Sequence, residues 1–144
     1  MRVEFEKIGD VRTPEYGTDG SAGLDFFVPN DTTWESITIA SHRGINIPSG
    51  IKMKVPQDHA MIAFNKSGIA LKGFQVGACV VDSDYRGEIH LHVFNTTTHD
   101  IIIKRGMKLV QFILIPYIKI EAQPVDNIES DTPRGTGGFG STGK

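Results

Sequence analysis

The sequence lacks the features that mark secreted, membrane-spanning or nucleic-acid-binding proteins. It contains one cysteine, Cys79, so no intrachain disulfide can form and a reducing compartment is expected. The opening residues, MRVEFEKIGD, hold no apolar core of signal-peptide length, and no apolar run approaches a membrane span. A formal net charge of -2 leaves no basic footprint for nucleic acid or an anionic membrane. We therefore expect a cytoplasmic protein, in the host cytoplasm if it is viral, with no nucleic-acid or membrane partner.

The chain also lacks any amphipathic period of 3.6 residues over a useful length. Short apolar and β-branched stretches recur instead, separated by glycine and proline, which predicts a single all-β domain of the sandwich or jelly-roll type. We expect at most one helical turn in 65–73. The predicted strands are 3–8, 22–28, 37–39, 45–47, 51–55, 61–64, 101–103, 109–115 and 117–120.

A further pair of strands is predicted in 77–95, GACVVDSDYRGEIHLHVFN, which reads as a β-hairpin. Ile89, Leu91 and Val93 alternate with polar residues after a polar turn at 82–87. Two carboxylates, a tyrosine and an arginine crowd this turn, so they could converge on a small ligand. The alternative is an ordinary solvated hairpin tip, because Asp, Ser and Gly are common turn formers.

The last eleven residues, RGTGGFGSTGK, contain five glycines and cannot build a core. Glycine lets backbone N–H groups approach an anion closely, and Phe139 offers a flat face for stacking on a base. We therefore divide the chain into a β domain, 1–133, and a glycine-rich arm, 134–144. The arm is predicted to act as a lid over a nucleotide, the alternative being a floppy end.

Five segments resemble, in order and spacing, the five motifs of the trimeric dUTPases. They are AGLDFF at 22–27, NKSGIA at 65–70, GACVVDSDYRGE at 77–88, GMKLVQ at 106–111 and RGTGGFGSTGK at 134–144. The resemblance implies a distorted jelly roll assembled as a homotrimer, with sites at subunit boundaries and an arm that closes over a neighbour's site. It also implies Mg²⁺-aided hydrolysis of dUTP to dUMP and pyrophosphate, which keeps uracil out of DNA and supplies dUMP for thymidylate synthesis.

The same resemblance implies a role for each matching residue. Asp82 would be the general base for the attacking water, and Asp25 would hold Mg²⁺ through water. Tyr85 would pack on the deoxyribose, while the hairpin backbone around 76–81 would read uracil. The implied substrate-binding residues are Lys66, Ser67, Gly68, Val76, Gly77, Val80, Val81, Tyr85, His90, Gln111, Arg134, Gly138, Phe139, Gly140, Ser141 and Thr142.

Three positions depart from the family pattern. Lys66 and Lys108 stand where arginine is usual, and Asn65 stands where proline is common. Lysine keeps the positive charge but loses the two-pronged geometry of a guanidinium. This difference puts a salt-bridge role of Lys108 in question.

Two rival functions remain open from the sequence. One is a dCTP deaminase of the same fold, against which the glycine-rich arm and the DSDYRGE turn count. The other is a regulator that senses a nucleotide and acts by binding a partner protein. A zinc site at His90 and His92 is not expected, because no third ligand is in view.

Overall fold

The computed structural model of the protein describes residues 1–78, 80–139 and 141. One helical turn, α1 (Ser67–Ala70), confirms the expectation for 65–73. The strands are β1 (Glu4–Lys7), β2 (Glu15–Tyr16), β3 (Leu24–Phe27), β4 (Ser36–Ile39), β5 (Gly44–Lys54), β6 (His59–Asn65), β7 (Phe74–Val76), β8 (Val80–Val81), β9 (Glu88–Asn95), β10 (Ile101–Lys104) and β11 (Lys108–Pro116).

The strands form two main sheets and one small one. The four-stranded sheet has the order β1-β5-β9-β7, and the five-stranded sheet has the order β2-β3-β11-β6-β8. Strands β10 and β4 form a two-stranded sheet. All the pairings are antiparallel. This arrangement confirms the predicted all-β, jelly-roll-like fold.

The core consists of apolar side chains that strand alternation turns inward. On β9, Ile89, Leu91 and Val93 are buried, as their spacing predicted. Phe26 of β3 packs against Phe112 of β11, with ring centroids 4.7 Å apart. Each such side chain contributes about 1.5–3 kcal/mol when removed from water. The core therefore fixes which face of each strand remains available for a site.

The predicted hairpin is wrong in its strand pairing. Strand β8 pairs with β6, with Val81 opposite Met61, whereas β9 pairs with β5 and β7. Thus 77–95 passes between the two main sheets, and one of the two antiparallel neighbours of β9 is β7, which was not predicted as a strand. The sequence pattern located β8 and β9 but could not reveal their partners.

Two other strand predictions need correction. The expected strands 45–47 and 51–55 are one strand, β5, whose register with β9 shifts at a bulge between Pro48 and Lys52. The expected strand 117–120 is not formed. Its side chains are exposed, because the apolar alternation there has no neighbouring strand to pair with. Within the described part of the chain, no helix is long and apolar enough to cross a membrane.

Candidate active site

A cavity of about 240 Å³ lies where the chain leaves β7 and crosses to β8. Of the predicted substrate-binding residues, Val80, Val81, Tyr85 and His90 line it. Val76 and Gly77 do not line it: Val76 pairs with Val93 in the β7–β9 ladder, and the Gly77 N–H donates to the carbonyl oxygen of His92. Its lining also includes Asn46, Ala78, Glu88, Ile89 and Phe112. The volume suits a single small ring system rather than an extended ligand.

Hydrogen bonds hold two side chains of this cavity in place. The hydroxyl of Tyr85 donates to the carbonyl oxygen of Glu88 at 2.8 Å, which folds its ring back over the turn. The side-chain amide of Asn46 donates to Nδ1 of His90 at 2.8 Å. Asn46 lies 44 residues before His90 and belongs to no motif, so sequence reasoning had no signal for it.

Asp82 follows β8 directly and is exposed. It lines a different cavity of about 970 Å³, together with Ser83, Asp84 and Arg86. Arg86 fixes the turn, since its guanidinium donates to the carbonyl oxygens of Ser83 and Tyr85, both at 2.8 Å. The turn therefore separates two faces, with Tyr85 on the small cavity and Asp82 on the large one.

A third cavity, of about 330 Å³, lies just beyond the C-terminal end of β6 and is rich in lysine. Lys66, Ser67, Gly68 and Gln111, all predicted to bind phosphate, line it. Lys72 and Lys108 line it as well, although neither was predicted as a site residue. Three ammonium groups around a small concave surface favour an anion. The signal for Lys72 was its place in the same lysine-containing loop, 65–73.

Asp25 is buried and carries two lysine partners. Its Oδ1 pairs with the ammonium of Lys66, and its Oδ2 lies 3.2 Å from Nζ of Lys108. A buried carboxylate needs such partners, because removing it from water is costly. Lys108 therefore forms a salt bridge, the role that its replacement of the usual arginine had put in question.

Lys108 has a second partner in Glu15, at 3.2 Å. The hydrogen bond from Lys108 lowers the pKa of Glu15 below its usual 4.5, and nearby Arg12 contributes to the same shift. The hydrogen bonds to Glu15 and Asp25 raise the pKa of Lys108 above 10.5. The charged form of each group is thus favoured by the folded protein.

The arm has only local structure in its described part. Arg134 donates from Nε to the carbonyl oxygen of Gly137 at 2.9 Å. The backbone N–H of Ser141 donates to the carbonyl oxygen of Gly138 at 3.1 Å. Phe139 is fully exposed, with a φ of 50°. Gly140 and Thr142 lie outside the described residues. Cys79 lies outside them as well; in the sequence it stands between Ala78 and Val80.

One chain therefore brings the predicted residues into separate groups. Val80, Val81, Tyr85 and His90 meet at the small cavity. Lys66, Ser67, Gly68 and Gln111 meet at the lysine-rich cavity, with Asp25 beside them. Asp82 faces the large cavity, whose lining includes Asp58 just before β6, while Lys66 lies just after β6. The two ends of this seven-residue strand are roughly 20 Å apart.

These features define an all-β protein with a small cavity beside β8 and a separate cavity lined by lysines. The dUTPase family model matches residues 10–143. The deoxyuridine 5'-triphosphate nucleotidohydrolase of Paramecium bursaria Chlorella virus 1 is 39% identical over 137 residues, covering 94% of this chain and 93% of the relative. That of Rickettsia bellii is 37% identical over 147 residues, covering 99% and 95%. The chain belongs to the dUTPase family.

Solved structures agree on the fold. A mutant dUTPase of Staphylococcus bacteriophage 80alpha, solved with dUpNHpp, superposes with a TM-score of 0.84 at 19% identity and covers 99% of both chains. A mutant dUTPase from phage phi11 of S. aureus, described as revealing the coordination of a structural Mg(II) ion, gives a TM-score of 0.78 at 17% identity. It covers 90% of this chain and 100% of its own.

Proposed function

We propose that this protein hydrolyses dUTP to dUMP and pyrophosphate by attack of water on the α-phosphorus. The observation that carries the proposal is the position of Asp82. It follows directly on Val80 and Val81, which line the small cavity with Tyr85, so a carboxylate adjoins the site for the nucleoside. The proposed cellular role is to keep uracil out of DNA and to supply dUMP for thymidylate synthesis, in the cytoplasm of the cell or of a host.

Asp82 is proposed as the general base. Phosphoryl transfer demands positioning, charge neutralisation and one group to orient the nucleophile. Water forms a bond to the α-phosphorus and gives its proton to the Asp82 carboxylate. The bond from that phosphorus to the oxygen shared with the β-phosphate breaks, and pyrophosphate leaves. The exposure of Asp82 to the large cavity leaves its carboxylate accessible to such a water.

Recognition of the nucleoside is proposed for the small cavity. The backbone around 76–81 would read uracil, which rejects cytosine because the donors and acceptors of its base edge are exchanged. The ring of Tyr85, oriented by its hydrogen bond to Glu88, would pack on the deoxyribose and leave no room for a 2′-hydroxyl. His90, held by Asn46, would close the far wall.

Binding of the phosphate chain is proposed for the lysine-rich cavity and the arm. Ser67 would donate a hydrogen bond, Gly68 would permit close approach, and Lys66 with Gln111 would complete the site. An added Cβ at Gly68 has no neighbour within 4 Å, so this side of the cavity is open. In the arm, Arg134, Ser141 and Thr142 would bind the γ-phosphate, and Phe139 would cover the base. Glycines 138 and 140 would bring the arm backbone near the phosphates.

Magnesium is proposed to enter with the triphosphate. No three His, Cys, Asp or Glu side chains cluster as a possible metal site in 1–78, 80–139 and 141. The proposed magnesium ion therefore keeps its waters and takes its direct ligands from phosphate. Asp25 is the proposed second-layer partner through water, with a carboxylate held in place by Lys66 and Lys108. The ion would supply neutralisation of phosphate charge.

We infer that the working enzyme is a homotrimer whose sites combine residues of different subunits. The phosphorus atoms of a triphosphate are much closer together than the roughly 20 Å between the ends of β6. One chain therefore cannot present Asp82 and its own lysine-rich cavity to the same nucleotide. All described residues from 115 to 136 are exposed, and these include Ile118 and Ile120 at 90% and 82%. That exposure supports an extended segment that packs on a neighbour and carries the arm across.

The arm is proposed to close over a neighbour's site. Eleven residues span at most about 36 Å, which is sufficient to cross a subunit boundary. Removal of residues 134–144 should leave a folded trimer with sharply reduced activity. Full activity of the shortened protein would contradict the role of the arm.

The reaction itself is tested by hydrolysing dUTP in water enriched in oxygen-18. Attack on the α-phosphorus places the heavy oxygen in dUMP and none in pyrophosphate. Label in pyrophosphate would mean attack on the β-phosphorus, and release of orthophosphate would mean a different cleavage altogether.

A further inference from the structure

His92 binds two consecutive backbone N–H groups at the point where β7 separates from β9. The N–H of Gly77 donates to the carbonyl oxygen of His92 at 2.9 Å. The N–H of Ala78 donates to Nδ1 of the His92 imidazole, also at 2.9 Å. Successive N–H groups of a regular strand point to opposite sides. Both can reach one residue only because the chain turns there.

The turn held by His92 forms part of the small cavity. Ala78 lines that cavity, and Val80 and Val81 follow it into the five-stranded sheet. Without the bond to Nδ1, the Ala78 N–H would have to find another partner. The imidazole thus substitutes for a ladder partner at the position where the two sheets part.

Two neighbours fix the position of the imidazole ring. Phe94, two residues along β9, meets it edge-on with ring centroids 4.8 Å apart and an interplanar angle of 62°. A Cβ added to Gly77 would lie 2.4 Å from Nδ1, so only glycine at 77 allows the ring its place. Ring and backbone are therefore fitted to each other.

The contact also fixes the tautomer of the neutral His92 ring. Since a backbone N–H can only donate, Nδ1 must accept, and the neutral ring then carries its proton on Nε2. A protonated imidazole has two donors and no acceptor, so it could not bind the Ala78 N–H.

We propose that His92 is a positioning residue for recognition of the base: its Nδ1 holds the Ala78 backbone and so shapes the wall against which the base lies. This inference rests on the proposed function, since it assigns that cavity to uracil. His92 does not line the cavity and acts through Ala78.

Two substitutions distinguish the effect of the Nδ1 acceptor from the effect of the bulk of the ring. His92→Asn keeps a side-chain oxygen acceptor near the position of Nδ1, whereas His92→Phe keeps a ring without an acceptor. Loss of the bond leaves an N–H without its partner, so His92→Phe should raise KM for dUTP about tenfold. The kcat should stay within about twofold, because the lost interaction serves binding rather than the chemical step. His92→Asn should restore KM to within about threefold of the unsubstituted protein.

His99→Asn is the matched control, because it makes the same replacement at an exposed histidine. Its KM should equal that of the unsubstituted protein. An unchanged KM in His92→Phe would overturn the inference. A His92→Asn protein as impaired as His92→Phe, with both folded by melting temperature, would also overturn it, because ring shape rather than the acceptor would then matter.

A measurement without turnover keeps this inference separate from the proposed function. Nitrogen-15 NMR of the imidazole should show an unprotonated Nδ1 in the unsubstituted protein, coupled to the Ala78 amide. A proton on Nδ1 would overturn the role of His92 even if dUTP is hydrolysed. Absence of dUTP hydrolysis by the unsubstituted protein would instead contradict the proposed function.

Discussion

The side-chain amide of Gln111 donates a 2.7 Å hydrogen bond to the backbone carbonyl of Asn65, joining β11 to the end of β6. The Asn65 side chain in turn accepts the N–H of Val76 at 2.8 Å. Gln111 thus connects the lysine-rich cavity to the strand beside the small cavity. Asn65 stands where the resemblance to the family suggests proline, and its side chain supplies the Val76 N–H with an acceptor that proline lacks.

Gly23→Ala tests that connection. A Cβ at Gly23 would lie 2.1 Å from Oε1 of Gln111, so Gln111 must move and lose its bond to Asn65. We expect a loss of about 1–2 kcal/mol in the free energy of unfolding, with a raised KM for dUTP. Gly20→Ala is the control, since nothing lies within 4 Å of its added Cβ. Equal stability and kinetics in the two variants would show that Gln111 relaxes without consequence.

Asp82→Asn tests the general base. The amide keeps the shape of the side chain but cannot accept a proton from water, so turnover should fall by about 10²–10⁴-fold while dUTP still binds. Asp84→Asn, two residues along the same turn, should retain most of the activity. Calorimetry with a non-hydrolysable analogue gives the affinity of each variant, and pyrophosphate release gives the rate. Substantial turnover by Asp82→Asn, or its loss only in Asp84→Asn, would assign the base elsewhere.

Glu15→Gln tests the charge network around Lys108. The pKa of Glu15 is lowered in the folded state, so its ionised form adds stability above its usual pKa of 4.5, and that stability is lost as pH falls through the lowered value. The unsubstituted protein should therefore exceed Glu15→Gln in stability at neutral pH and converge with it in acid. Both side chains are only half-buried, so the difference should be small and should shrink in salt. Urea titrations at several pH values measure it, and a difference that grows in acid would have the wrong sign.

Mixed assemblies test the proposed homotrimer and its proposed site between subunits. Trimers made only of Asp82→Asn chains should be inactive, and so should trimers made only of Ser67→Ala/Gln111→Ala chains. Mixing the two by refolding should recover activity, because some boundaries then combine an intact Asp82 with an intact phosphate cavity from a neighbour. Mixtures of Asp82→Asn with unsubstituted chains calibrate the exchange of subunits. No recovery in a mixture that has demonstrably exchanged would contradict a site built between subunits.

The fold class was predictable because the apolar residues that alternate with polar ones in the sequence are the residues that the fold buries. Ile89, Leu91 and Val93 are the clearest case, each being buried as its spacing required. The partner of Val80 and Val81 was not predictable, because a two-residue strand pairs according to tertiary geometry. The same limit explains why the strand predicted at 117–120 is wrong, since the local pattern does not show whether a neighbouring strand is present to pair with it.

The candidate site was predictable where one motif supplies neighbouring side chains, as with Lys66 and Ser67. It was not predictable where distant strands supply them. Asn46 reaches His90 only because β5 and β9 pair, and the two lysines meet Asp25 only because β3, β6 and β11 adjoin. No local pattern in the sequence carries that information.

The most direct test of the account is release of pyrophosphate and ammonia from dUTP, dTTP, dCTP and UTP in the presence of magnesium. Pyrophosphate is expected from dUTP alone, because the proposed nucleoside cavity would read the uracil edge and would exclude a thymine methyl group and a 2′-hydroxyl. Ammonia from dCTP would contradict this expectation and identify a deaminase. No product from any of the four, with dUTP still raising the melting temperature, would contradict it in favour of a nucleotide-sensing regulator.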